Sequence, residues 1–162
     1  LNYAYAQFFT GRQQVEIMDH YRSHLPDNPE TRGDGAHHRD GSAGHDSIHG
    51  GQTLSALCVS AAATREEARE QALVAADARF SLRTGRPMRF RDPATLDAPY
   101  RAEIERYLER DTAIIVGTYD EVAHALSSFA ENHGTEEVML VSYIDDVEVK
   151  IRQYAELASR LL

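Results

Sequence analysis

The stretch from Val116 to Ala158 constrains the fold more than any other, because it orders a helix, a short apolar strand and a second helix. Thr118 can cap the first helix, and Glu121, three residues on, completes a capping box. Val122, Ala125, Leu126 and Phe129 then recur at helical spacing, with Gly134 as the stop signal. Val138-Met139-Leu140-Val141 is an apolar run that ends in Ser142-Tyr143-Ile144-Asp145-Asp146. Asp145 or Asp146 can cap the closing helix, to which Val149, Ile151, Tyr154, Leu157 and Leu161 bring apolar surface. A strand covered on both faces reads as a continuous apolar run, so helix, strand and helix in this order belong to a parallel sheet. The expected class is α/β.

The rest of the chain agrees. Tyr3 to Phe9 reads as a strand that feeds a helix around Gln13 to His24, closed by Leu25-Pro26-Asp27. Residues 27–52 carry repeated Gly, Asp, His and Ser and almost no large apolar side chain. Such a segment buries too little to offset its ordering entropy, and a long surface loop is expected. Leu54 to Ala61 is the next strand, followed by a helix from Thr64 to Ser81 whose start, Thr64-x-x-Glu67, is a second capping box. Gly85-Arg86-Pro87 and Asp92-Pro93 punctuate an irregular connection. A helix within 94–110 rests on Ile104, Tyr107 and Leu108, and Ile114-Ile115-Val116 is a short extended lead-in to Gly117. No internal repeat is visible, and residues 1–162 read as one domain with a loop insertion.

Charge and composition narrow the function classes. A formal charge of −9 argues against nucleic acid and anionic membrane, both of which need a positive surface. No run approaches the roughly 20 apolar residues of a membrane span, and no secretory leader is visible, so a soluble, cytoplasmic protein is expected. The single Cys58 excludes an internal disulfide and fits a reducing compartment. It lies in the run Leu54-Ser55-Ala56-Leu57-Cys58-Val59, where a buried structural thiol is the simpler reading than a nucleophile.

Several groups invite chemistry. His37, His38, His45 and His49, with Asp34, Asp40 and Asp46, offer metal-ligating types, but a polar loop cannot impose a held geometry, and no metal site is expected. Arg86, Arg89 and Arg91 can grip a phosphate or serve as ordinary surface charge; no glycine-rich turn opens a helix there, which favours the second. Glu136-Glu137 and Asp145-Asp146 are paired carboxylates of the kind that does acid–base work. Gln7, set among Tyr, Ala and Phe, needs a partner if buried, either a ligand or a neighbouring strand.

The order of these pieces resembles the carboxyl end of the bacterial luciferase-like, flavin-dependent monooxygenases. The matching positions are Val116-Gly117-Thr118, Val122, Leu126, Gly134-Thr135-Glu136-Glu137, Asp145, and Lys150-Ile151-Arg152-Gln153-Tyr154 with Leu157-Ala158, where Gln153 replaces the family's usual Ser. Tyr3 to Phe9, Tyr21-Arg22 and Ala62-Ala63-Thr64-Arg65-Glu66-Glu67-Ala68 resemble earlier passages of the same family. The resemblance implies the carboxyl-terminal portion of a TIM (β/α)8 barrel, incomplete as it stands. Such a barrel takes about 250 residues and eight strands. This chain has 162 residues, with strands expected near 2–9, 54–61 and 137–143, and its lack of a Met at position 1 accords with a longer parent.

It further implies reduced flavin mononucleotide (FMN) at the carboxyl face of the barrel, with oxygen and a small organic substrate. Much of the flavin site would come from upstream of Leu1. Within this chain the implied cofactor-binding positions are Gln7, Tyr143 and Asp145, at the carboxyl ends of strands, where a parallel barrel gathers its functional groups. Ser142 and Tyr143 should point to opposite faces; the Tyr143 ring can line a flavin or substrate pocket, or pack at the rim. Arg152 and Tyr154 suit a structural clamp. The alternative is a non-catalytic module. Too few strands for closure leave open edges, so a homodimer, or a partner chain supplying the rest of the barrel, is expected. Two copies joined edge to edge would bury Val138, Leu140, Leu57 and Val59 between them.

Overall fold

The computed structural model describes residues 3–5, 16, 20, 23–24, 53–135 and 137–162. In chain order the elements are β1 (Tyr3–Tyr5), β2 (Thr53–Ala62), α1 (Arg65–Arg83), α2 (Ala98–Leu108), β3 (Ile114–Thr118), α3 (Tyr119–His133), β4 (Glu137–Val141) and α4 (Val147–Leu161). Glu16, His20 and Ser23 are helical, within the stretch expected as a helix; Gln7 and residues 27–52 lie outside the described residues.

Local signals fix the helix ends. Thr118 Oγ1 accepts the Glu121 N–H, and Glu121 Oε2 accepts the Thr118 N–H at 2.9 Å, closing the capping box that starts α3. Gly134 ends it with φ 54° and ψ 37°, a left-handed conformation that costs glycine little. Thr64 caps α1 by accepting the Glu67 N–H at 3.2 Å. For α4 the cap is Asp146, which accepts from Glu148 at 2.8 Å and Val149 at 3.2 Å.

Among the described residues all strand pairs are parallel, in a sheet of four strands with β2 at its centre. Leu54 and Ser55 pair with both β1 and β4, and Cys58 pairs with both β3 and β4. A strand has two edges, so β4 runs along one edge of β2 while β1 and β3 share the other. The extended lead-in expected at residues 114–116 is thus a full sheet member, paired through Thr118.

Alternation along β2 splits the core in two. Leu57, Val59 and Ala61 pack with Val122, Ala123, Leu126 and Phe129 of α3 and Leu157 of α4, and Ile115, Val138 and Leu140 join them. Cys58 meets Ala72, Leu73, Ala75 and Ala76 of α1, Ile104 and Leu108 of α2, and Ile114. Helices therefore cover both faces. With four strands among the described residues there is no opposite sheet wall to fill the second face, and α1 and α2 do so instead. This also corrects the ground for edge-to-edge dimerisation: Leu57, Val59, Val138 and Leu140 are packed by the chain's own α3 and α4.

The buried line of α4 differs from the apolar count. Gln153 and Leu157, four apart, are 0% exposed, whereas Ile151 is 62% and Leu161 38% exposed. Among the described residues no helix is long and apolar enough to cross a membrane.

Candidate functional site at the carboxyl rim

In a parallel sheet the helices that follow the strands start at the carboxyl ends, and their free N–H groups make that rim the usual place for a ligand. Here the rim is drawn together by one clamp. Arg65, the first residue of α1, grips Glu121 of α3: Nε donates to Oε1 at 2.8 Å and to Oε2 at 3.0 Å, and Nη2 donates to Oε1. The Arg65 hydrogen bond and then the Thr118 N–H hold the Glu121 carboxyl below its usual range. Both side chains are exposed, so the clamp sets position more than stability.

Gly117 is what lets Glu121 sit there. A Cβ at Gly117 would stand 2.9 Å from Glu121 Oε2 and 3.1 Å from its Cβ, so the reason for glycine is space. Beside it opens a cavity of about 450 Å³ with Ile114 and Val116 as apolar wall and Arg65, Arg69 and Glu121 as polar rim. Arg69 is held by Glu109 at 2.8 Å. The arrangement can seat a small, partly apolar ligand.

It offers no thiol nucleophile. Cys58 is 1% exposed, and burial pushes its thiol up to about 12 against the opposing pull of Arg79. Since the thiolate is the reactive form, Cys58 in the native chain is expected to react with a thiol-specific dye at pH 8 about a thousandfold more slowly than in the urea-unfolded chain. Equal rates would mean that β2 is not sealed between its helices.

Two of the three expected cofactor positions, Tyr143 and Asp145, fall among the described residues. Gln7 lies outside the described residues. Tyr143 is half-buried, packs against the Cys58 cluster and stacks on Phe90 with ring centroids 5.3 Å apart and planes at 16°. Burial raises its hydroxyl above the usual tyrosine value. Asp145 is exposed, next to the capping Asp146. Ser142 is buried, and its hydroxyl has no hydrogen-bond partner among the described residues. Glu137 is exposed at the amino end of β4. Among the described residues no three His, Cys, Asp or Glu side chains are grouped to hold a metal. Sequence reasoning passed over Arg65 and Gly117 as site residues; Arg65 opens the helix that follows β2 and Gly117 is the penultimate residue of β3, inside the Ala-Thr-Arg-Glu-Glu and Val-Gly-Thr passages, which was the available signal.

No family model matches the chain, and no curated protein matches it significantly. Among solved structures it is similar to apo-MsnO8, with a TM-score of 0.68 and 23% identity over 99% of this chain and 45% of that one. A complex of riboflavin lyase (RcaE) with modified FMN and riboflavin gives a TM-score of 0.36 and 17% identity over 68% of this chain and 31% of that one. The likeness to MsnO8 is one of fold, and the chain spans under half of that protein's length.

Proposed function

We propose that this chain is the carboxyl-terminal section of a luciferase-like, flavin-dependent monooxygenase that uses reduced FMN and oxygen on a small organic substrate. The observation that carries the reading is the fold shared with MsnO8, a luciferase-like monooxygenase, over nearly the whole chain. The order of the Val-Gly-Thr, Gly-x-Glu-Glu and terminal helix motifs supports it independently. In this reading the remaining strands of a barrel come from elsewhere, as a longer chain, a second copy or a partner, and the protein works in the cytoplasm.

The residues at the rim fit such a cofactor. A cavity of about 450 Å³ falls within the range of small-molecule sites. Ile114 and Val116 give that cavity an apolar wall, and the stacked Tyr143 and Phe90 rings, which are not part of its lining, would offer the flavin a separate aromatic surface. Gln7 and Asp145 would supply polar contacts, Asp145 from the connection between β4 and α4. When bound, the flavin supplies the redox chemistry; the chain's part is to orient it and shield it from water.

Fluorescence titration of the 162-residue chain with oxidised and reduced FMN tests the reading. Saturable quenching is expected, weakened about tenfold in Tyr143→Ala, the order of one lost aromatic contact. Flavin fluorescence that stays unchanged throughout overturns the reading for this chain.

A further inference from the structure

The connection after α1 builds a second, positively charged cavity, remote from the Gly117 rim. Gly85, at φ 71°, turns the chain back: its N–H donates to Leu82 O at 3.3 Å and the Arg86 N–H donates to Ser81 O at 2.8 Å. That pair of bonds is a Schellman turn, and it fixes where Arg86 leaves the helix. A Cβ at Gly85 would meet nothing within 4 Å, so it is the backbone conformation that calls for glycine there. Arg86, Arg89 and Arg91 then converge with Asp97 and Tyr100 around a cavity of about 380 Å³.

The cavity's frame is rigid because a buried carboxylate holds it. Asp77, 1% exposed, accepts from Arg91 Nε at 2.8 Å and Nη2 at 2.6 Å, and from the Tyr100 hydroxyl at 2.7 Å. The Arg91 guanidinium lies 4.8 Å from the Tyr100 ring centroid and the Arg86 guanidinium 5.8 Å from it. Arg91 is thereby committed to Asp77. Arg86 and Arg89 make no ion pair among the described residues. The lining carries three guanidiniums against the single carboxylate of Asp97, and Asp97 already accepts the Tyr100 N–H at 2.9 Å. On a chain of net charge −9, such a concentration of positive charge is out of keeping with the rest of the surface.

We propose that this cavity binds the phosphate group of a small phosphate monoester. Guanidinium forks match phosphate oxygens two at a time. Two forks without a carboxylate suit a dianion, whereas a monocarboxylate would satisfy one. The volume exceeds what a phosphate fills, and Pro87 and Tyr100 give the organic part an apolar wall.

Calorimetric titration of the 162-residue chain with phenyl phosphate at low salt is the test. Saturable binding with a Kd below about 1 mM is expected, weakened about tenfold in Arg86→Ala and in Arg89→Ala. It should be unchanged in Arg106→Ala, an exposed arginine on α2 away from the cavity. Circular dichroism should show all three variants folded, because none of these side chains is buried. Either no saturable heat with the wild-type chain, or equal weakening in all three variants, overturns the proposal.

Discussion

Gln153→Ala is expected to lower the stability of the chain by about 3 kcal/mol, and Gln153→Leu by only about 1 kcal/mol. The pairing of β4 with β2 ends at Cys58 opposite Val141, yet β2 continues to Ala62. Beyond that point one edge of β2 has no strand beside it among the described residues. Gln153, 0% exposed, reaches from α4 to fill the gap, and its Oε1 accepts the Ala61 N–H at 2.7 Å. The side chain stands in for the missing strand. Removing it leaves Ala61 N–H buried without an acceptor, at about 1–3 kcal/mol, and alanine adds a cavity. Leucine fills the space and also removes the Gln153 Nε2, which has no hydrogen-bond partner among the described residues. One lost bond is then partly offset by one relieved amide. Urea unfolding with an unchanged m-value would measure both variants. Equal stability of Gln153→Ala and the wild type would mean that the Ala61 N–H has another acceptor.

Gln153 also shows where the sequence stops being readable. Helix ends were legible because their causes are local: Thr118 meets Glu121 three residues away, and Gly134 needs only its own backbone conformation. The helical pattern of α4 was legible in period but not in phase. Counting apolar residues brought in Ile151 and Leu161, while the buried line runs through Gln153 and Leu157, and a glutamine carries no apolar signal. Strand β3 read only as a lead-in because it is five residues long and owes its place to a register with Cys58 to Ala62, more than fifty residues earlier. The rim clamp joins Arg65 to Glu121 across a similar span. At Asp145 and Asp146 the sequence left two caps open, and only the backbone path into α4 distinguishes them. Arg86, Arg89 and Arg91 were visible as a cluster, but their convergence depends on the turn at Gly85 and on Asp77, a carboxylate buried inside a helix.

Asp111→Ala should cost about 3–4 kcal/mol, because it breaks the better buried of the ion pairs that tie α1 to its surroundings. The side chains of Asp111 and Arg79 are 4% and 14% exposed. Arg79 Nε donates to Oδ2 at 2.6 Å and Nη2 to Oδ1 at 3.3 Å, and the Ala113 N–H donates to Oδ1 at 3.0 Å. The carboxylate thus pins the turn between α2 and β3 onto α1. Burial works against its ionisation, but the hydrogen bonds from Arg79 and the Ala113 N–H outweigh that and hold the carboxyl below its ordinary 3.8. The sign follows. A carboxyl whose pKa is depressed by folding contributes its stability above the unfolded value and loses it as pH falls through the folded one. The gap between wild type and Asp111→Asn should therefore be full at pH 7, constant down to about pH 5, and shrink progressively below about pH 4. Paired urea titrations at neutral and acid pH would read this gap. If it stays constant across the whole range, Asp111 acts through its shape and neutral hydrogen bonds, and the charge of the pair contributes nothing to holding α1 against β3.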